Sequence, residues 1–197
     1  MNSSVLWYAS QATGIVSLVL YTIVMLLGIT IVGQGTLPGL PKFGVVALHR
    51  SISLLSIVFL AAHIGTALLD SYVSISFIST FVPFASAYEP LWIGLGAVAV
   101  DLMIALVATS LLRGRISPRF WRAVHWLAYA FWPVAIAHTI GLGEGTGGLI
   151  SGWEAWLTIA CIVAVAAALV WRVLVRLERS RRTPAQVLQQ TRSEVRA

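Results

Sequence analysis

The chain is short of almost everything a water-soluble domain of its 197 residues carries. Charged side chains make up only 10% of it, and none stands before Lys42, the sole lysine. A retained first helix is therefore expected in place of a cleaved secretory leader, whose basic start is missing. There is one cysteine, Cys161, so no internal disulfide can form. No strand-and-helix unit surrounds the glycine-rich run Gly143-Glu144-Gly145-Thr146-Gly147-Gly148, and its likeness to a dinucleotide-binding pattern carries no meaning there. It reads as a loop. What the chain has in excess is apolar residues, at 58%, with a mean hydropathy of +0.89. Such a composition belongs to a bilayer.

A helix crossing a bilayer needs about 20 largely apolar residues. Five stretches qualify, at residues 6–32, 44–69, 91–112, 120–142 and 153–175, so the expected fold is an all-α integral membrane bundle of five transmembrane helices. Residues 1–176 would form this domain, with its working core at about 44–141, and residues 177–197 a short polar tail. The 13 basic residues fall in three places only: Lys42 and Arg50; Arg113, Arg115, Arg119 and Arg122; and Arg172 onward. With five spans these share one face. Asp70, Glu89, Glu144 and Glu154 lie on the other, which the positive-inside rule makes the outside, with the N-terminus there and the C-terminus in the cytoplasm. The net charge of +6 thus reflects topology, and nucleic acid is not an expected partner.

Histidine is scarce too, and its placement is informative. The four are His49 and His63 in the second stretch and His125 and His138 in the fourth. At 1.5 Å per residue the two steps rise about 21 Å and about 19.5 Å, both within a hydrocarbon core of about 30 Å. One helix intervenes, so the two histidine helices run the same way. His49 then lies level with His125 near the cytoplasm, and His63 with His138 near the outside. Two imidazoles facing each other at each of two depths suit the axial positions of two haem irons. No Cys-x-x-Cys-His sequence exists, so such haems would be non-covalent, of b type. Rotation complicates the second pair. Fourteen residues fall about 40° short of whole turns, but thirteen fall about 140° short, and a kink at Pro133 is the expected remedy.

Leu48-His49-Arg50 through Ala62-His63, and Arg122-Ala123-Val124-His125-Trp126 through Ala137-His138, resemble the ferric reductase-like transmembrane domain family. That family includes the membrane halves of NADPH oxidases and ferric reductases and the haem subunit of the bacterial periplasmic methionine sulfoxide reductase system. The resemblance implies two haem b groups held by His49/His125 and His63/His138. Electrons would pass from a cytoplasmic flavin reductase or a membrane quinol to an extracytoplasmic redox partner or ferric iron. The short polar stretch after residue 175 leads us to expect a separate donor, and so an electron-transfer subunit of an oxidoreductase. The excess of Arg over Lys is a compositional association with a bacterial source, and the expected location is a bacterial plasma membrane.

Among the remaining side chains, Arg50 and Arg122 are candidates for haem propionates, since guanidinium forks match carboxylates. Tyr72 and Tyr88 offer hydroxyls at the outer site. Asp101, deep in the third stretch, would relay protons or hydrogen-bond a neighbouring Ser or Thr. Trp126, Phe131 and Trp132 would wall the haems or simply pack, and residues 71–88 would cover the outer site. A weak apolar stripe after Thr183-Pro184 would suit a docking partner, a frayed end being the plainer reading. Three rival functions are a quinol-linked cytochrome b subunit of a respiratory complex, a transition-metal transporter using the four histidines, and a purely structural membrane subunit, which leaves the matched histidine depths unexplained.

Overall fold

The structure is a computed structural model describing residues 3–33, 39–70, 75–143 and 152–181. The tail after residue 181, Tyr72, Glu144 and the glycine-rich run beyond Gly143 lie outside the described residues. Everything described is helix or connection: α1 (Ser3–Val32), α2 (Lys42–Leu69), α3 (Phe77–Phe81), α4 (Pro90–Leu111), α5 (Pro118–His125), α6 (Ala128–Gly141) and α7 (Gly152–Arg181). Four of these, α1, α2, α4 and α7, are long and apolar enough to cross a membrane. The protein is a multi-pass membrane protein.

Local sequence explains where the helices begin. Ser117 accepts the Phe120 N–H at 3.2 Å and Pro118 takes the first turn of α5, where its missing N–H costs nothing. Pro90 does the same for α4. In α3 the Ser76 hydroxyl accepts from the Ser79 N–H at 3.2 Å. Inside the long helices, polar side chains turn back on their own backbone. Thr13, Ser17, Thr22, Thr30, Ser53 and Thr109 each donate a hydroxyl to the carbonyl four residues earlier, at 2.6–2.9 Å. These six hydroxyls are thereby satisfied within their own helices.

The stretch at 120–142 is not one helix. It divides at Trp126–Leu127, where Leu127, Tyr129 and Ala130 donate to carbonyls three residues back, at 2.9–3.0 Å. Pro133 sits within the unbroken α6, so the distortion precedes the proline. A three-residue turn advances about 120° per residue and an α turn about 100°. Four or five tightened residues therefore recover about 80–100° of the rotation that His125 and His138 lack. The charge pattern fits this division: α5 carries Arg119 and Arg122, both exposed, whereas α6 is apolar throughout except at Thr139 and His138.

Packing joins α1 to α2 along their length, α4 to α6, and α1 also to α6 and α7, while α3 lies on α4. The core gathers Leu18, Tyr21, Met25 and Ile29 of α1, Phe131, Trp132 and Ile136 of α6, and Cys161 and Val165 of α7. Within it Tyr21 meets Phe131 edge to face at 4.7 Å, and Trp132 Nε1–H donates to the Thr22 hydroxyl at 3.0 Å. Thr22→Val leaves that indole N–H unsatisfied at membrane depth. It is expected to lower stability by about 1–2 kcal/mol, read as a lower midpoint in thermal unfolding of the detergent-solubilised protein. Large apolar side chains such as Val16, Leu54, Val58, Ile104, Val163 and Leu174 point outward from all four long helices, as a lipid-facing surface requires.

Candidate functional site

The helix order α1·α2 and α4·α6 brings the four histidines into two pairs. Ring centroids of His49 and His125 lie 6.4 Å apart, with the ring planes at 66°. Those of His63 and His138 are also 6.4 Å apart, at 82°. An imidazole nitrogen bonds a first-row metal at about 2.0–2.1 Å, and the ring centre lies about 1.1 Å behind it. Two imidazoles opposite one another on a shared metal thus have centroids about 6.2–6.4 Å apart. Both pairs have that separation.

Three of the four rings are oriented by backbone. His63 Nδ1–H donates to the Ser10 carbonyl at 2.8 Å, His138 Nδ1–H to the Trp92 carbonyl at 2.8 Å, and His49 Nδ1–H to the Val24 carbonyl at 3.2 Å. A carbonyl can only accept, so Nδ1 carries the hydrogen and the neutral ring keeps its lone pair on Nε2. This is how proteins commonly prepare a metal-ligating histidine. His125 differs: its buried Nδ1 and the buried Nε1 of Trp121 have no partner among the described residues. The two rings instead stack at 4.8 Å and 20°, and the Arg113 guanidinium lies over the Trp121 ring, 4.3 Å from its centre.

At the level of the second pair, the one expected to be outer, a cavity of about 280 Å³ opens between His63 and His138. Its walls are largely apolar, from Leu18, Leu60, Val100 and Phe131, with Gln11, Ser79, Thr80, Tyr88 and Glu154 as polar groups. Part of the expected cover over this level is visible. Ile75, Ser79, Thr80 and Tyr88 line the cavity, and α3 supplies Ser79 and Thr80, both buried. The segment is anchored by Phe84, held at φ 65°, whose ring occupies the space in which Gly94 has no Cβ.

The other candidates are distributed unevenly. Arg50 follows His49, Arg122 stands three residues before His125, and both are exposed. Asp101 is half-buried on α4, outside the outer cavity, with no hydrogen bond among the described residues. Trp132 and Phe131 are buried in the core, and Trp126 is exposed. Two arginines have roles that a charge count alone conceals. Arg113 lies over the Trp121 ring, and Arg172, buried on α7, donates to the Tyr129 hydroxyl and lies over the Trp126 and Tyr129 rings. Three glycines also escape a reading of side-chain chemistry: Gly14 faces His63, Gly28 faces His49 and Gly96 faces His138. A signal for two of them exists, since Gly14 and Gly28 are fourteen apart, as are His49 and His63.

Residues 13–136, more than half of the chain, match the family described as ferric reductase like transmembrane component. The chain belongs to this ferric reductase-like family. The match takes in His49, His63 and His125 and ends two residues before His138, which the fold brings to His63. Comparison with curated proteins and with solved structures gives no match.

Proposed function

We propose that this ferric reductase-like protein carries electrons across a bacterial plasma membrane through two non-covalent b-type haems, one between His49 and His125 and one between His63 and His138. The single observation that carries the reading is the pair of 6.4 Å imidazole separations, one at each level of the bundle. Each level offers two nitrogens and no more. Among the described residues no three His, Cys, Asp or Glu side chains stand together as a metal site, so a bare transported ion would lack donors. A porphyrin brings its own equatorial nitrogens and needs only the two axial ones.

The protein's own contribution is positional and electrostatic. Backbone carbonyls on α1 and α4 hold three imidazoles with Nε2 free, and the Trp121 stack holds the fourth. His49 and His125, and His63 and His138, would hold the haems, which when bound would supply single-electron transfer. Arg50, Arg113 and Arg122 place positive charge at the inner level, suited to propionates there. At the outer level the Ser79, Thr80 and Tyr88 hydroxyls take that role, and Asp101 on α4 remains a candidate proton relay. In this reading α5 and α6 together make a fifth crossing, the N-terminus is outside and the C-terminus cytoplasmic. The donor is a cytoplasmic flavin reductase or a membrane quinol, and the acceptor an extracytoplasmic redox partner or ferric iron.

Optical spectroscopy of the purified full-length protein, expressed with ample haem supply, tests the proposal. A Soret band that moves on dithionite reduction, with two irons per chain by metal analysis, is the expected result. Colourless material, or a spectrum insensitive to all four histidines, would overturn it.

A further inference from the structure

The backbone acceptors of the histidine rings share one pattern. Ser10, Val24 and Trp92, whose carbonyls receive His63, His49 and His138, each stand four residues before a glycine: Gly14, Gly28 and Gly96. A helical side chain covers the turn N-terminal to its own Cα. Glycine at that position therefore uncovers the carbonyl one turn back, and the second lone pair of that oxygen becomes available while the first stays in the helical ladder. On α1 the pattern repeats at the interval of the histidines. Because α1 and α2 run antiparallel, equal steps of fourteen keep both contacts in register.

We infer that Gly14 and Gly96 are positioning residues that grip the outer pair of imidazoles rigidly, and that the inner pair is held loosely by comparison. The inference rests on the haem reading above. A Cβ added at Gly96 would stand 2.6 Å from His138 Cε1 and 2.7 Å from its Nδ1, and one at Gly14 would stand 3.0 Å from both atoms of His63. At Gly28 it would stand 3.6 Å from His49 Cε1, an ordinary contact. The hydrogen bonds follow the same order, 2.8 Å at both outer rings and 3.2 Å at His49. The fourth ring, His125, has no such bond among the described residues. Thirteen residues on from Gly96, where a fourth glycine would match the step from His138 back to His125, stands Thr109. It has a Cβ, and its own hydroxyl takes the Ala105 carbonyl at 2.7 Å. Two tight cradles thus serve the outer level, and one loose cradle with a stacked ring serves the inner.

The test compares Gly96→Ala, Gly14→Ala and Gly28→Ala with Gly65→Ala, where an added Cβ meets nothing within 4 Å. All are made in the full-length protein and measured for haem per chain and by low-temperature electron paramagnetic resonance of the oxidised form. The near-perpendicular outer rings should give a strongly anisotropic low-spin signal, because ring planes set that anisotropy. Gly96→Ala is expected to lower haem content from two per chain toward one, with that outer signal lost. Gly14→Ala should shift or weaken the same signal, and Gly28→Ala and Gly65→Ala should retain both haems. Two haems with an unchanged outer signal in Gly96→Ala, or equal loss in Gly28→Ala, overturns the inference. Should Gly96→Ala not accumulate, Gly14→Ala decides alone, because its methyl asks only a few tenths of an ångström of His63; an unaltered outer signal then overturns it. A wild-type protein without haem refutes the underlying reading instead.

Discussion

Alanine at His63 together with His138 is expected to leave one haem per chain, whereas alanine at His63 together with His125 is expected to leave none. The contrast follows from the pairing. Under the proposed pairing each haem would depend on two imidazoles from different helices, and with no covalent attachment the loss of either imidazole would open the site. A second substitution at the same level then removes little more, while one at the other level empties the remaining site. Such strong non-additivity within a pair, and near-additivity across pairs, is what a double-mutant cycle isolates. Haem per chain of the six double variants, by the pyridine haemochrome assay, gives the measurement. Equal loss in same-level and cross-level doubles would sink the pairing. Each single variant should lose about half of the Soret absorbance, and the two levels should be distinguishable by their reduction potentials, since charge around a cofactor tunes it. The inner level has arginines and the outer has Glu154 at its cavity.

The second large effect concerns topology. A cysteine at Asn2 should react with a membrane-impermeant maleimide in intact cells, and one at Ala197 only after lysis, both in a Cys161→Ser background. The result is close to all-or-none, because an odd number of crossings puts the termini on opposite sides and an even number puts them together. Four helices have the length and hydropathy of a span by themselves. The 14 residues of α6 reach about 21 Å, short of a hydrocarbon core of about 30 Å. With α5 added, residues 118–141 complete the distance even though the helix is broken at Trp126–Leu127. Five crossings would put all the basic residues on one face. If α5 and α6 did not cross, Arg172 and Arg176 at the end of α7 would emerge on the outside. Each such charge is opposed by about 2.3 kcal/mol per 100 mV of membrane potential. Labelling of both cysteines in intact cells would refute five crossings.

Much of the site was legible in the chain because histidine is so scarce in it. Four imidazoles at two matched intervals allow few arrangements once the helices are counted, and the steps of about 21 Å and 19.5 Å follow from helical rise alone. Rotation about the helix axis was less accessible. The missing turn between His125 and His138 pointed to Pro133, the residue with the strongest local reason to bend a helix. The tightening lies at Trp126–Ala130, where a polar α5 meets an apolar α6, and it includes Tyr129, four residues before Pro133, whose carbonyl a proline ring crowds and leaves without its helical donor. The supporting groups were largely invisible for a different reason. The Ser10, Val24 and Trp92 acceptors are backbone oxygens, which every residue has, and only the helix packed alongside shows which three are used.

The order of residues determined by itself that this chain enters a bilayer as helices and that its histidines fall at two depths. Hydropathy and rise per residue are additive along a helix and need no neighbour. Tertiary packing alone decided which rings meet at 6.4 Å, which carbonyls turn them, and why His125 leans on Trp121 while its three counterparts hang from backbone. Those outcomes depend on the azimuth and close approach of one helix to another, and a glycine in α1 acquires its meaning only when a histidine of α2 arrives beside it.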